Sequence, residues 1–326
     1  MILITGGAGY IGSQVNKLIN ENGYNTIIID NLSTGNKRMV KWGEFVEGDI
    51  SDENLMDTVF NKYHIECVMH FAANAYVGES IENPNKYYYN NVIKSIKLLG
   101  LMLRNNINNI IFSSTCATYG EPKVIPITEE ETQNPINPYG MTKMIIEKAI
   151  MDYSNGHDIN FVILRYFNAA GADSSGIIGE LHNPETHLIP KAVRAILKNN
   201  PIQVYGNKYK TKDGTAIRDY IHVEDIASAH YLCLQNLLKE KKSSIYNLGN
   251  GLGYSVLEII QSIESISGSN AIIEFKSPRK GDPPMLIGSS NKIENELGWE
   301  RKYSKLDSII SSAINWESYL MGNDER

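Results

Sequence analysis

The chain has 326 residues, of which 42% are hydrophobic and 21% are charged, and its formal net charge is −6. This length predicts a large domain with a smaller one, and the composition is typical of a globular protein rather than a disordered or fibrous one. The acidic balance argues against a general nucleic-acid or anionic-membrane surface, so an anionic ligand would need a local cationic pocket.

The cysteines and the first residues of the chain favour the reducing cytoplasm. Cys67, Cys116 and Cys233 are odd in number and have no Cys-x-x-Cys spacing, which indicates neither a disulfide framework nor a zinc site. Residues 1–5 lack the charged region and longer apolar core of a signal peptide, and no apolar run approaches the length of a membrane span. We therefore expect a cytoplasmic protein with no membrane partner.

The first half of the chain alternates short apolar runs with amphipathic segments. Runs rich in β-branched residues predict strands at 2–5, 26–30, 44–47, 67–71, 109–113 and 160–165. Apolar residues at helical spacing predict helices at 11–21, 53–63, 84–104 and 138–153. Such alternation is typical of βαβ units with right-handed crossovers, so we expect an α/β fold with a doubly wound parallel sheet of the Rossmann type.

After about Asn168 this rhythm breaks into longer loops, followed by predicted helices near 188–198, 223–238 and 256–266. We interpret this part as a smaller α/β substrate-binding lobe that lies across the carboxyl edge of the sheet, where ligands of such folds bind. The predicted division is 1–167 for the Rossmann domain and 168–326 for the second lobe, with a soft and interleaved boundary.

Glycines follow the first predicted strand at a spacing that indicates a dinucleotide-binding loop. Gly6, Gly9 and Gly12 lie between strand and helix, where small residues let backbone N–H groups approach a pyrophosphate at a helix N-terminus. The second strand ends at Asp30, where a carboxylate can accept hydrogen bonds from ribose hydroxyls and would repel a 2′-phosphate, which favours NAD over NADP. Asp49, after the third strand, is placed either to reach the adenine edge or to cap a helix.

Tyr139 and Lys143 are four residues apart, and therefore on one face of a helix if Pro138 opens that helix. Holding tyrosinate near pH 7 requires lowering its pKa by about 3 units, or roughly 4 kcal/mol, which an ammonium and a cationic nicotinamide ring can supply. Thr115, just after the fifth predicted strand, is placed to bridge a substrate hydroxyl and Tyr139. The sequence thus predicts an enzyme that moves hydride at a carbinol carbon.

Together, the glycine loop, the hydroxyl-bearing strand end and the Tyr-x-x-x-Lys pair resemble the extended short-chain dehydrogenases/reductases. More narrowly, the chain resembles the UDP-glucose 4-epimerase family over nearly its whole length. The more specific motifs are Arg165-Tyr166-Phe167-Asn168 and Arg218-Asp219-Tyr220.

This resemblance implies interconversion of UDP-glucose and UDP-galactose. Tyr139 would take the proton of the sugar C4 hydroxyl while hydride passes to tightly bound NAD, and hydride would return to the opposite face of the 4-keto sugar. Lys143 would tune the tyrosine and position the nicotinamide ribose, and Thr115 would bridge. A homodimer is implied as well.

The resemblance also assigns residues to two ligand sites. The implied cofactor residues are Gly6, Gly9, Tyr10, Ile11, Gly12, Asp30, Asn31, Asp49, Ile50, Phe71, Ala72, Ala73, Asn90, Tyr139, Lys143 and Phe167. The implied UDP-sugar residues are Thr115, Tyr139, Asn168, His187, Leu188, Gln203, Tyr205, Arg218, Arg279, Asp282 and Leu286. Physically, the two arginines can offer charge-assisted forks to a diphosphate, Tyr205 an aromatic surface to uracil, and Asp282 an acceptor to the uridine ribose.

One position departs from the family pattern, and another leaves open which UDP-sugars the enzyme accepts. Ala75 stands where a lysine frequently follows the fourth strand, which puts one cofactor contact in doubt. Leu286 occupies the position whose bulk is associated with admitting or excluding an N-acetyl group, and it is neither a large aromatic nor the smallest residue. Epimerisation of UDP-GlcNAc and UDP-GalNAc therefore stays open as an alternative.

Particular residues bear on the alternative functions. A related sugar-nucleotide dehydratase or decarboxylase shares the oxidation at C4, but Cys116 and Ala117 cannot act as the acid–base pair that removes water. A non-catalytic NAD-sensing regulator is the alternative of a different class, because fold alone does not establish activity. No metal is predicted, because the spacing of four loop residues matches no strong metal template: Glu180, His182, Glu185 and His187.

Overall fold

The computed structural model describes residues 1–279 and 283–324. Its strands are β1 Ile2–Thr5, β2 Thr26–Asp30, β3 Glu44–Glu47, β4 Cys67–His70, β5 Asn109–Thr115, β6 Asn160–Tyr166, β7 Asn168–Ala170, β8 Pro201–Tyr205, β9 Ile217–His222, β10 Ser244–Leu248, β11 Gly253–Ser255, β12 Ile272–Lys276 and β13 Met285–Leu286. Its α-helices are α1 Tyr10–Glu21, α2 Glu53–Lys62, α3 Val77–Glu82, α4 Pro84–Tyr87, α5 Lys94–Arg104, α6 Pro138–His157, α7 Leu188–Leu197, α8 Val223–Glu240, α9 Val256–Ser267, α10 Asn291–Leu297 and α11 Leu306–Asp324.

Seven parallel strands form the central sheet, in the order β10-β6-β5-β4-β1-β2-β3. The strand order reverses between β1 and β4, since β2 and β3 lie to one side and β4, β5 and β6 to the other. The predicted doubly wound parallel sheet is therefore confirmed. A ligand-binding crevice is expected at this reversal, beyond the carboxyl ends of the strands.

Both faces of the sheet are buried, as its apolar strands require. Alternate residues of β1 point to opposite faces, so Ile2 and Ile4 pack towards α1 and α8, whereas Leu3 packs towards α2, α5 and α6. Two separate apolar cores result, one on each face. This burial holds the strand ends, and the loops that follow them, in fixed positions.

The predicted helix at 84–104 is confirmed, but it is not α-helical throughout, because a π-helical segment, Tyr88–Ile93, separates α4 from α5. Within it, the buried Asn91 side chain accepts a hydrogen bond from the Asn74 backbone N–H (2.8 Å) and donates to the Asn74 carbonyl (3.0 Å) and the Thr142 hydroxyl (3.2 Å). These bonds tie the loop after β4 to α6. Apolar periodicity carries no signal for such an interruption.

The second lobe has its own apolar core, in which α7, α9 and α11 pack around Val193, Ile263 and Ile310. Its strands form a small sheet around β9, which pairs with β7, β11 and β13, and a parallel pair of β8 and β12. Along the chain, α8 and β10 lie among these elements but belong to the large sheet, because α8 packs against its face and β10 forms its edge strand. No helix in the described part of the chain is long and apolar enough to cross a membrane.

Candidate active site

A cavity of about 1610 Å³ opens at the carboxyl edge of the large sheet and is lined by residues from both parts of the chain. Every predicted site residue that the structure describes lines this cavity; Asp282 lies outside the described residues. On the predicted cofactor side these are Gly6, Gly9, Tyr10, Ile11, Gly12, Asp30, Asn31, Asp49, Ile50, Phe71, Ala72, Ala73, Asn90, Tyr139, Lys143 and Phe167. On the predicted substrate side they are Thr115, Asn168, His187, Leu188, Gln203, Tyr205, Arg218, Arg279 and Leu286.

The turn from β1 into α1 depends on its glycines. Gly6 has a φ of +71°, and a side chain there would place its first carbon 2.6 Å from the backbone nitrogen of Ala72. A side chain at Gly12 would collide with the Gly6 carbonyl oxygen. Gly9, the residue before α1, has no side chain to cap the helix, which leaves the first N–H groups of α1 to an outside acceptor. This loop fits a pyrophosphate, since a helix N-terminus favours negative charge.

Asp30 ends β2 with its carboxylate held by the backbone. It accepts hydrogen bonds from the N–H groups of Ala8 (3.0 Å) and Leu32 (2.8 Å). Burial raises the pKa of Asp30, and these two bonds act in the opposite direction. A side chain at Gly35 would stand 2.8 Å from both carboxylate oxygens, so this glycine keeps the space before Asp30 open. The remaining acceptor positions of the carboxylate suit ribose hydroxyls.

Both carboxylate oxygens of Asp49 accept hydrogen bonds from other groups of the protein. One oxygen accepts from the Lys94 ammonium (2.5 Å) and the Asn31 amide (2.9 Å), and the other from the backbone and hydroxyl of Ser51 (3.0 and 2.7 Å). Burial raises the pKa of this carboxyl, but those bonds outweigh burial and lower it to about 2. The cap of α2 is Asp52, not Asp49. Asp49 instead links the end of β3 to Lys94 of α5.

Tyr139 lies in the first turn of α6, which is capped by the Asn137 side chain accepting from the Gly140 N–H (2.8 Å). The Thr115 side chain at the end of β5 interacts with the phenol, and its oxygen accepts a hydrogen bond from the Ala117 N–H (3.1 Å). Burial raises the pKa of Tyr139 to about 12, although the interaction with Thr115 acts to lower it. The protein alone therefore holds this phenol neutral near pH 7.

Lys143 lies one helical turn after Tyr139, and its side chain is buried beneath the same strand end. Its ammonium donates to the Ser113 carbonyl (2.7 Å) and lies 4.9 Å from the centre of the Phe112 ring. Burial lowers the pKa of Lys143 to about 7, and the charge of Glu147 raises it. The lysine thus anchors the strand end that carries Thr115.

A second group of polar side chains lies on the side of the cavity formed by the second lobe. The Arg279 guanidinium stacks 4.4 Å from the centre of the Tyr205 ring, and the Tyr205 hydroxyl donates to the Gln203 side chain (2.8 Å). Arg218 on β9 pairs in register with Leu286 on β13. Two guanidinium groups therefore supply local positive charge in an acidic chain, as an anionic ligand requires.

A family model described as "NAD dependent epimerase/dehydratase family" matches residues 2–249 of the chain. That span contains the whole parallel sheet, the glycine loop, Tyr139 and Lys143. The chain belongs to the NAD dependent epimerase/dehydratase family.

Individual members of this epimerase/dehydratase family resemble the chain over nearly its full length. A UDP-glucose 4-epimerase of Halalkalibacterium halodurans is 47% identical, with 97% of this chain and 95% of that protein covered. The crystal structure of a UDP-glucose 4-epimerase from Brucella ovis in complex with NAD is 48% identical, covers 96% of this chain and 97% of its own, and has a TM-score of 0.93. A UDP-glucose 4-epimerase from Bifidobacterium longum in complex with NAD⁺ and UDP is 37% identical, covers 98% of both chains and has a TM-score of 0.92.

In this epimerase/dehydratase, the arginine of the Arg165-Tyr166-Phe167-Asn168 motif lies away from the cavity. Arg165 forms a buried ion pair with Glu147 of α6 (2.6 Å) and donates to the Tyr119 hydroxyl (2.9 Å). Glu147 also accepts from the Ser114 hydroxyl and the Gln133 amide (2.7 Å). This network joins α6, β5 and β6, and thereby fixes the spacing between Tyr139 and Thr115.

No ligand role was predicted from the sequence for several charged residues that line the cavity, among them Lys94, Glu180 and His182. Lys94 stands four residues after Asn90, a predicted cofactor residue, and this spacing could have indicated Lys94 as well. Glu180 and His182 lie in a loop, where no periodicity reports which side chains face a ligand. Their contacts with His187 depend on the path of that loop, which ends where α7 begins.

Proposed function

We propose that this chain is an NAD-dependent UDP-sugar 4-epimerase that interconverts UDP-glucose and UDP-galactose. One observation carries the proposal: Tyr139 and Thr115 line the same cavity as a glycine-built helix N-terminus and two arginines. Relatives named UDP-glucose 4-epimerase, such as one that is 47% identical over nearly the full chain, support the same reaction.

NAD would be held by the glycine loop at its pyrophosphate and by Asp30 at its adenosine ribose. When bound, NAD supplies a reversible acceptor for the hydride at the sugar C4 carbon and a cationic ring near the phenol. Arg218 and Arg279 would neutralise the diphosphate of the sugar nucleotide, and Tyr205 would lie against uracil. Because both halves of the reaction use one cofactor, no second nucleotide has to enter.

Tyr139 would move the proton. With its pKa near 12 in the protein alone, the phenol has to lose its own proton first, which requires positive charge nearby to lower that pKa, and the resulting phenolate can then accept the proton of the C4 hydroxyl. Thr115 would relay the proton while staying uncharged, and Lys143 would hold both the strand end and the nicotinamide ribose. The cavity of about 1610 Å³ leaves room for a 4-keto sugar to present its other face.

The residues after Thr115 favour epimerisation over dehydration in this proposal. Cys116 is buried, which raises the pKa of its thiol to about 12, and Ala117 has no ionisable group. Neither residue can deliver or remove a proton near pH 7. Leu286 packs partly buried against an apolar cluster that includes Phe167, and this side chain sets the free space for a substituent on the sugar.

We also propose that the enzyme works as a cytoplasmic homodimer. Exposed apolar side chains at helical spacing, Tyr89, Ile93 and Ile96, offer a face that a second copy can cover. The three cysteines are unpaired and buried, which suits a reducing compartment.

The decisive experiment is product analysis after incubating the purified chain with UDP-galactose, UDP-GlcNAc or UDP-glucuronate. We expect UDP-galactose to yield UDP-glucose without a stoichiometric change in NADH absorbance. Tyr139→Phe serves as the matched inactive control. If the NAD-saturated chain converted none of the three sugars, the proposed activity would be wrong and a regulatory role would gain support.

A further inference from the structure

The loop between β7 and α7 gathers four ionisable side chains at the cavity wall. We call them the carboxylate–imidazole cluster, and they are Glu180, His182, Glu185 and His187. One ligand atom from each lies within 4.8 Å of all the others. Glu180 is the centre, since its Oε1 atom contacts Nδ1 of His182 (3.1 Å) and Nδ1 of His187.

The environment of Glu185 is independent evidence that the cluster binds a ligand. Its Oε1 atom accepts hydrogen bonds from the backbone N–H groups of Thr186 (2.7 Å) and His187 (2.8 Å), which orients the carboxylate. Its Oε2 atom is shielded from solvent, has no hydrogen-bond partner and lies 3.7 Å from Nδ1 of His182. The side chain is only 4% exposed. This buried oxygen is thus partnered by His182 through a 3.7 Å ion-pair contact, which is too long for a hydrogen bond. A bound cation would supply the direct partner that a buried carboxylate oxygen requires.

The donor set matches a particular class of cation. Two imidazole nitrogens and two carboxylate oxygens are ligands that Zn²⁺ accepts in tetrahedral sites, and imidazole excludes the harder cations Mg²⁺ and Ca²⁺ as best matches. Two carboxylates also balance the charge of a divalent ion. We propose that the carboxylate–imidazole cluster binds a divalent transition-metal cation, for which Zn²⁺ is the best match.

Contacts from neighbouring residues hold the carboxylate–imidazole cluster in place before a metal binds. The Glu180 backbone carbonyl accepts a hydrogen bond from the Trp316 indole (2.7 Å), which fixes one end of the loop to α11. The edges of Tyr10 and Tyr76 pack against the His182 ring, with centroid distances of 6.5 and 5.8 Å. Such outer contacts orient ligands before a metal arrives. Entry is open from the cavity, because the His187 side chain is 46% exposed.

A bound cation would affect the reaction by positioning. His187 and Leu188 follow directly in the chain and line the cavity on the proposed substrate side, so fixing the loop would fix both. Coordination through Nδ1 leaves Nε2 of His187 free to meet a ligand. This consequence rests on the proposed epimerase function, whereas metal binding itself does not. We expect the metal to lower KM for the sugar nucleotide and to leave kcat nearly unchanged.

Zinc binding is tested on the NAD-loaded chain after chelator treatment, by competition for Zn²⁺ with a chromophoric chelator. We expect one equivalent of Zn²⁺ per chain, and at least about tenfold weaker binding in His182→Gln and in Glu185→Gln. The matched control is His64→Gln, which removes an exposed histidine outside the cavity and should bind as the wild type does. Glu185→Gln is nearly isosteric, so it keeps the test valid if His182→Gln fails to fold.

Cobalt gives a second, spectroscopic readout. Co²⁺ in a tetrahedral nitrogen–oxygen site shows strong visible absorption bands, which we expect in the wild type and not in Glu185→Gln. The proposal is overturned if the wild type takes up no Zn²⁺ in competition, or if both cluster variants bind it as tightly as the wild type. Epimerase activity is assayed separately on the same samples, so an active enzyme that binds no zinc would refute only the metal site.

Discussion

At the scale of single residues, the proposed chemistry depends on the Tyr139 hydroxyl. Tyr139→Phe keeps the ring in the first turn of α6 and removes only the group that can accept a proton from the sugar. We expect kcat to fall at least about a hundredfold, in line with the usual contribution of a general base, while NAD content and UDP affinity change by less than about twofold. Steady-state kinetics and isothermal titration with UDP measure the two effects.

A tyrosine later in α6 provides the control for this substitution. Tyr153 packs near His157, outside the residues that line the cavity, so Tyr153→Phe should retain normal turnover. Near-normal turnover in Tyr139→Phe would show that this phenol is not the base of the reaction. The other parts of the proposal would be unaffected by that result.

Leu286 offers a residue-scale test of substrate range. It lines the cavity beside the strand position of Arg218, so Leu286→Tyr would extend a ring into the space available to a sugar substituent. We expect kcat/KM for UDP-GlcNAc to fall by a larger factor than kcat/KM for UDP-glucose, measured by product analysis of both reactions.

The neighbouring residue in β13 points to the other face of its strand and does not line the cavity, so Met285→Tyr is the matched control. An unchanged ratio of the two specificity constants in Leu286→Tyr would show that this side chain does not control the space around the sugar.

At the scale of elements, the ion pair of Asp49 and Lys94 connects the end of β3 with α5. The carboxyl has a pKa of about 2 in the folded chain against an ordinary value of 3.8, so it stabilises the fold fully above pH 3.8. That stabilisation, about 2 kcal/mol by linkage, is lost as the pH falls towards 2. We expect Asp49→Asn to be less stable than the wild type at pH 7, and the difference to narrow between about pH 4 and pH 3.

Guanidinium unfolding at each pH measures this difference, and Lys94→Met gives the reciprocal variant. Removing the ammonium should reproduce most of the loss at pH 7, because Lys94 is the strongest of the partners that lower the Asp49 pKa. A stability gap between wild type and Asp49→Asn that stayed constant down to pH 3 would contradict the assigned ionisation.

Local sequence pattern predicted most elements of the Rossmann part but not all of them. Most of the strands from β1 to β6 are apolar runs bounded by turn residues, and such runs carry their own signal. β10 was missed because Ser244–Leu248 lies after α8, outside the alternating first half of the chain, and becomes a strand of the large sheet by pairing with the distant β6. The π-helical segment Tyr88–Ile93 was missed for a related reason, since its cause lies in the contacts of Asn91 with distant residues.

At the scale of the whole molecule, the fold explains why scattered motifs converge. Parallel strands end at one edge of the sheet, so residues that follow β1, β2, β4 and β5 lie near one another although up to about a hundred residues separate them in the chain. Sequence could therefore indicate which residues line one cavity. It could not indicate how they pair, such as Lys143 with Ser113 or Lys94 with Asp49, because those contacts depend on helix positions across the sheet.

The proposed homodimer is the property of the whole molecule that a single surface substitution can test. Tyr89, Ile93 and Ile96 are 55%, 46% and 38% exposed at helical spacing, and burying this face in a twofold contact would remove their apolar surface from water. Ile93→Lys would place two like charges across such an interface, so we expect the dimer to dissociate to monomers in light scattering coupled to size-exclusion chromatography. Ile272→Lys, at 45% exposure on β12 of the second lobe, should remain dimeric. A monomeric wild type would refute the dimer, and a dimeric Ile93→Lys would place its interface elsewhere.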